Sequence, residues 1–101
     1  ASEGKAPADR MRTVLVDGLC LSARGEHAKA AQRLAVVVRY APWEGYAQWA
    51  GTLATEAARA AGDAQAEKHY AQLTADTFGS RLRKGLRARI ERPHDSEEEA
   101  P

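Results

Sequence analysis

The residue types that most often bind metals are sparse in this chain of 101 residues and lie far apart. His27, His69 and His94 form no pair at the three- or four-residue spacing by which a helix presents two ligands on one face, and no second cysteine accompanies Cys20. A metal site needs three or four converging ligands. The sequence therefore predicts no bound metal, and we interpret His27 and His69 as exposed helix residues.

The carboxylates of Glu56, Asp63 and Glu67 could converge across a helical hairpin for acid–base chemistry. Neither a nucleophile nor an oxyanion donor accompanies them, and Asp63 follows a glycine, as a helix cap does. Cys20 stands in an apolar run, which favours a buried, unreactive thiol. No glycine-rich loop follows a strand to hold a phosphate. We therefore expect a protein that is not an enzyme and that needs no cofactor.

Composition points to one small domain. The chain has 44% apolar and 29% charged residues, a net charge of +1 and only 6% aromatic residues, so close packing of small side chains is expected. A single cysteine allows no internal disulfide. No apolar run approaches the ~18 residues of a membrane span, which favours a soluble and cytoplasmic protein without fixing its compartment. Because the chain begins with alanine, we expect a fragment or a processed product.

Apolar residues recur at spacings of three and four along most of the chain, which predicts helices rather than strands. Residues 1–8 and 93–101 lack this pattern and are expected to be a flexible leader and an acidic disordered tail around one helical domain, 9–92. Glycine or proline ends each periodic stretch. The predicted helices span about 10–24, 26–41, 43–61, 63–78 and 81–91, with Asp9, Asp63 and Ser80 as N-terminal caps.

The helices repeat in pairs. A shift of 37 residues places Gly25 on Gly62, whereas a shift of 36 places Leu34 on Tyr70 further along. The second turn is therefore expected to lack one residue. A period of 34 to 37 residues with two helices per unit is typical of a helical repeat array, in which each unit packs on its neighbours.

Small and large residues alternate at fixed positions in the first pair. Small residues let two helix backbones approach closely, while large ones fill the space beside them. The positions are Gly18, Leu21, Ala30, Leu34 and Pro42, which lie at −7, −4, +5, +9 and +17 from the turn glycine. This spacing resembles the tetratricopeptide-repeat (TPR) family over about residues 11–79. The resemblance implies an all-α, TPR-like right-handed superhelical fragment of two helix-turn-helix repeats plus a C-terminal capping helix.

A second resemblance concerns the order of the later segments. A long helix opens with Trp43 and Glu44 after Pro42, an "AAGDAQAEKHYAQL" hairpin follows, and "LRKGLRARI" comes last. This order is similar to the bacterial transcriptional activator domain, which is itself built from such repeats. It implies a regulatory fragment of a transcriptional activator as the alternative to an adaptor or scaffold.

The TPR resemblance implies a protein or peptide partner on the inner face of each first helix. Leu15 and Leu19 are either the apolar floor of this face or plain core. Among the aromatic residues, Tyr46 and Trp49 are expected to seal the two hairpins together, whereas Trp43 is expected to be an exposed anchor. The predicted partner-binding residues are Arg12, Leu15, Leu19, Ser22, Trp43, Gln48, Thr52, Thr55, Glu56 and Arg59.

The most charged segment is the last predicted helix, because residues 80–92 hold six Arg or Lys and only one acid, Glu91. Such a helix caps a solenoid with its polar side outward, or it binds nucleic acid or an anionic membrane. The acidic tail is a competing intramolecular partner for it. A homo-oligomer through Leu15, Leu19 and Trp43 is a further alternative. The possible anion-binding residues are Arg81, Arg83, Lys84, Arg87 and Arg89.

Overall fold

The computed structural model describes residues 7–91, with side chains from residue 10 onward. This part of the chain forms five α-helices and no strand, which confirms the predicted all-α class. None of these helices is long and apolar enough to cross a membrane. The tail 93–101 lies outside the described residues, as does most of the leader. The helices are α1 (Pro7–Ala23), α2 (His27–Tyr40), α3 (Ala47–Ala60), α4 (Ala64–Phe78) and α5 (Lys84–Glu91), and a 3-10 turn, Gly79–Arg81, joins α4 to α5.

The α1–α2 and α3–α4 turns have the same backbone. Each contains a glycine at positive φ, +84° at Gly25 and +76° at Gly62, a conformation that other residues rarely adopt. The glycine N–H donates to the carbonyl three residues back, and the next N–H donates to the carbonyl five back, as in a Schellman motif. A single shift of 37 residues relates the two turns. The prediction that the second turn lacks one residue is therefore wrong. The bonds are Gly25 to Ser22, Glu26 to Leu21, Gly62 to Arg59 and Asp63 to Ala58.

The first hairpin closes on Gly18. A Cβ atom placed there would lie 2.7 Å from Cγ of Leu34, whose side chain is only 1% exposed. This contact confirms that α1 and α2 approach through a small residue. Ala30 is fully buried, but its cluster of buried alanines joins α2 to α3 through Ala57 and Ala58. Ala30 therefore also packs at the contact between the two hairpins.

The second hairpin closes on Gly51, which the sequence pattern did not single out. A Cβ atom there would collide with Oγ1 of Thr74 and lie 2.8 Å from its Cγ2. Thr74 is fully buried, and its hydroxyl donates to the Tyr70 carbonyl at 2.8 Å. The polar hydroxyl is therefore satisfied within α4 while the methyl group fills the seam with α3.

Helix α3 lies at the centre of the fold, with extensive contacts to α2, α4 and α5. By contrast, every extensive contact of α1 is with α2. The apolar core runs along these seams and includes Leu34, Val37, Val38, Ala50 and Phe78. Because α3 has neighbours on three sides, most of its circumference is buried.

Three predicted helix starts differ from the structure. Helix α1 includes Pro7, which suits the first turn of a helix, so Asp9 lies within the helix and does not cap it. Helix α3 begins at Ala47, four residues later than expected, because two consecutive turns cover 42–46. Helix α5 begins at Lys84, and Ser80 lies in the 3-10 turn rather than at a cap. The predicted cap Asp63 is confirmed, since its side chain accepts from the Ala66 N–H at 3.0 Å.

Candidate functional site

Two threonines of the predicted partner-binding set are inaccessible. Thr52 and Thr55 are both 0% exposed, and their hydroxyls donate to the carbonyls of Gln48 and Gly51 within α3. The prediction that they lie on an open face is wrong. They are buried because α3 packs against α2, α4 and α5 and has neighbours on the side of these threonines.

Gln48 contacts the chain itself. Its side-chain N–H donates to the Arg81 carbonyl at 3.0 Å, and its Oε1 accepts from the Arg83 N–H at 2.9 Å. These bonds satisfy the Arg81 carbonyl and the Arg83 N–H in the link between α4 and α5. Neither backbone group is bonded within a helix there. Leu82, between them, is 5% exposed in the core. Gln48 therefore fixes the link that places Leu82 in the core and starts α5 at Lys84.

The charged residues of α3 also bind α5. Both oxygens of Glu56 accept from the Arg89 guanidinium, at 2.6 and 2.8 Å, in a bidentate pair. This hydrogen bond raises the pKa of Arg89 above its ordinary value; partial burial opposes the shift and the charge of Glu56 adds to it. Arg59 pairs with Glu67 at 2.7 Å and reaches the carbonyls of Arg89 and Ile90 at 3.4 Å. A cation at these carbonyls stabilises the C-terminal end of α5.

The predicted α3 site is thus occupied by the chain's own last helix. Gln48, Glu56 and Arg59 hold α5, and the Arg89 assigned to anion binding is neutralised by Glu56. One sequence signal could have indicated this: Glu56 and Arg59 are the only charged residues of α3, and charges on an otherwise apolar helix need partners.

We predict that Glu56→Gln loosens α5 while leaving the hairpins folded. A partly exposed bidentate pair contributes about 0.2–1 kcal/mol, so overall stability falls little. Amide hydrogen exchange followed by mass spectrometry should show faster exchange in 84–91 and unchanged exchange in α2. The control is Glu26→Gln, which removes the exposed ion pairs with Arg24 and Lys29. Equal protection of α5 in the wild type and Glu56→Gln would contradict the prediction.

The predicted residues of α1 divide between surface and core. Arg12 is exposed, Leu19 and Ser22 are half-buried, and Leu15 is 7% exposed within the main core. Leu15 is therefore core rather than the floor of an open face. The same burial removes it from the self-association surface predicted with Leu19 and Trp43.

The largest exposed apolar side chains lie near the α2–α3 loop. Trp43 is 68% exposed, as predicted, and Tyr40 at the end of α2 is 66% exposed. Trp49 is 39% exposed, so its prediction as core is wrong, while Tyr46 is half-buried against the core. Trp49 is open because it points away from the neighbours of α3. Tyr40 was missed because it follows the buried residues Val37 and Val38.

The remaining basic residues of 81–89 are directed outward. Arg83 and Lys84 are exposed and form no ion pair with a carboxylate in the described part of the chain, nor does Arg81, which contacts the Thr77 carbonyl. Arg87 donates to the Gly79 carbonyl at 2.6 Å and lies 3.7 Å from Glu91. The proposed anion-binding set therefore keeps an unneutralised positive charge at its N-terminal end.

The structure gathers no metal-binding cluster of three or more His, Cys, Asp or Glu residues within the range it describes. His69 is exposed, as predicted, and accepts from Arg39 at 3.0 Å, whereas His27 is half-buried, so its predicted exposure is wrong. Cys20 is exposed, so its predicted burial is wrong, because it lies on the side of α1 that faces away from α2. His94 lies outside the described residues.

Comparison with known proteins returns no match among family models, curated proteins or solved structures. A functional assignment therefore depends on the residues of this chain and on their geometry.

Proposed function

We propose that the chain is a non-catalytic module that binds a protein or peptide as a scaffold or adaptor within a larger assembly or regulator. In this proposal the two hairpins are TPR-like repeats of a right-handed superhelix and α5 caps them. Support comes from the shared turns related by 37 residues and from the small residue at the closest approach of each hairpin, Gly18 and Gly51.

The observation that carries the proposal is the exposure of Trp43 and Tyr40. A chain with only six aromatic residues leaves two of them more than three-fifths exposed on either side of Pro42. Tryptophan and tyrosine are enriched among the residues that dominate binding energy, because they bury a large rigid surface and retain a polar group. We therefore place the partner at the α2–α3 loop rather than on the covered face of α3.

We expect Trp43→Ser to weaken partner binding about thirtyfold, corresponding to roughly 2 kcal/mol for a central aromatic anchor. A photo-reactive phenylalanine analogue at position 43 should crosslink the partner in a lysate of the source cells, and the purified partner then gives the affinity. Val16→Ser is the matched control, since Val16 is 52% exposed on α1. Equal affinity of the two variants for the crosslinked protein would refute the assignment.

A second candidate rests on the unneutralised charges of Arg81, Arg83 and Lys84. In this alternative the basic segment binds nucleic acid or an anionic membrane, or the chain is a regulatory domain of a transcriptional activator. Such binding weakens steeply with salt because condensed counterions are released. A titration with duplex DNA, RNA and anionic vesicles at low salt tests it, and no binding to any of them would remove it.

A further inference from the structure

A groove lies between the outer faces of α4 and α5, with a volume of about 230 Å³. Its floor is apolar and consists of Ala71, Ala75, Leu82 and Ile90, while Lys68 and Arg87 bring two cations and Glu91 one carboxylate to its edge. Helix α4 begins after a tight turn and α5 is clamped from the far side by Glu56 and Arg59, so the groove has two fixed walls.

Lys84 lies three residues before Arg87, one helical turn away on the same face of α5, and the cations around the groove have few acidic partners. Lys68 and Lys84 form no salt bridge with any carboxylate between residues 10 and 91, and Arg87 has only the long contact to Glu91. Nearby acids are already engaged: Glu67 pairs with Arg59, and Asp76 accepts from Gln72 at 2.8 Å. The groove therefore favours an acidic occupant.

We propose that the acidic segment after α5, residues 95–99, binds back over this groove with its carboxylates directed at Lys68, Lys84 and Arg87. The segment carries Asp95, Glu97, Glu98 and Glu99 and no basic residue. Glu91, the last residue of α5, itself lines the groove, so the segment starts at the groove's edge.

The distances permit this contact. An extended chain spans at most about 3.3–3.6 Å per residue, so Asp95 reaches about 14 Å from Glu91 and Glu99 about 28 Å. The whole of α5, with eight residues, is about 12 Å long. Because Pro93 disfavours a helical conformation at residue 92, the chain can turn away from the axis of α5. The carboxylates can thus reach both walls.

Tethering makes this occupant more favourable than a free peptide of the same composition. A segment attached beside its site has an effective concentration in the millimolar range, which compensates for the weakness of each exposed ion pair. The contact does not depend on the proposed partner at Trp43, which lies in the α2–α3 loop.

Paramagnetic relaxation in the full chain tests the contact. A nitroxide on Ser96→Cys, in a Cys20→Ser background because Cys20 is exposed, should broaden the amides of 68–75 in α4. The matched control has the same tether without charge: Asp95→Asn, Glu97→Gln, Glu98→Gln and Glu99→Gln. We expect the broadening of 68–75 to fall severalfold in this control, and likewise at about 1 M salt, where the Debye length is only about 3 Å.

Charge reversal supplies the second arm. Lys68→Glu with Lys84→Glu should lower the broadening at least as far as the uncharged segment does, and adding Glu97→Lys, Glu98→Lys and Glu99→Lys should restore it. Equal broadening of 68–75 by the acidic and neutral segments would overturn the proposal. Binding between copies is detected in a mixture of isotope-labelled chain without nitroxide and unlabelled chain with nitroxide. If the amides of 68–75 were broadened in this mixture as strongly as within one chain, the occupant of the groove would be a second copy instead.

Discussion

Leu34→Ala is expected to lower the free energy of unfolding by about 2–5 kcal/mol, a large part of the ~5–15 kcal/mol that holds a small domain folded. Leu34 is 1% exposed and lies against Gly18, where α1 and α2 approach most closely. Removal of its side chain leaves a cavity that the glycine opposite cannot fill. Urea denaturation followed by circular dichroism measures the loss.

Leu19→Ala is the control for this prediction. The substitution removes the same atoms, but Leu19 lies on α1 and is only half-buried. Its side chain therefore buries less apolar surface on folding than that of Leu34. We expect its loss to be less than about half that of Leu34→Ala. Equal losses at the two positions would show that the hairpin does not close on Leu34.

Gly51→Ala is expected to destabilise the second hairpin by about 1–3 kcal/mol, even though alanine is the better helix former. The added methyl group would collide with the Thr74 hydroxyl and methyl group, and Thr74 is fully buried. Thermal or urea unfolding of the variant gives the change in stability.

A double-mutant cycle identifies the cause. Thr74→Ala removes both atoms that the new methyl group would meet most closely, so Gly51→Ala with Thr74→Ala should be more stable than the sum of the single changes by at least about 1 kcal/mol. Gly85→Ala is the control, since a Cβ there meets nothing within 4 Å, and should stabilise by up to about 1 kcal/mol. Strict additivity in the cycle would contradict the close contact of α3 and α4.

Local features of the chain were readable from the sequence because their causes are local. Gly25 and Gly62 end helices in both the pattern and the structure, since positive φ at a turn selects glycine. Asp63 caps α4 because its side chain needs only an N–H three residues away. The approach of α1 to α2 through Gly18 was also predicted, because a short turn leaves two helices little choice of neighbour.

The exposed and buried sides of α3 were not predictable in the same way. Alanine, glycine and threonine make up most of this helix, and its apolar pattern does not show how many neighbouring helices surround it. Only the position of α3 between α2, α4 and α5 decides that Thr52 and Thr55 are buried and that Trp49 is open.

The sequence by itself determined the all-α class, the glycines of the two hairpin turns, the pairing of neighbouring helices and the exposure of Trp43. The tertiary structure alone decided the use of the polar residues of α3, because Glu56 and Arg89 stand 33 residues apart and meet only after α5 has folded back. Helix signals act over three or four residues, whereas a salt bridge depends on distance in space, so the two charges of α3 indicate that partners are needed but not which residues those partners are. For that reason a face expected to hold a separate partner proved to hold the chain's own last helix.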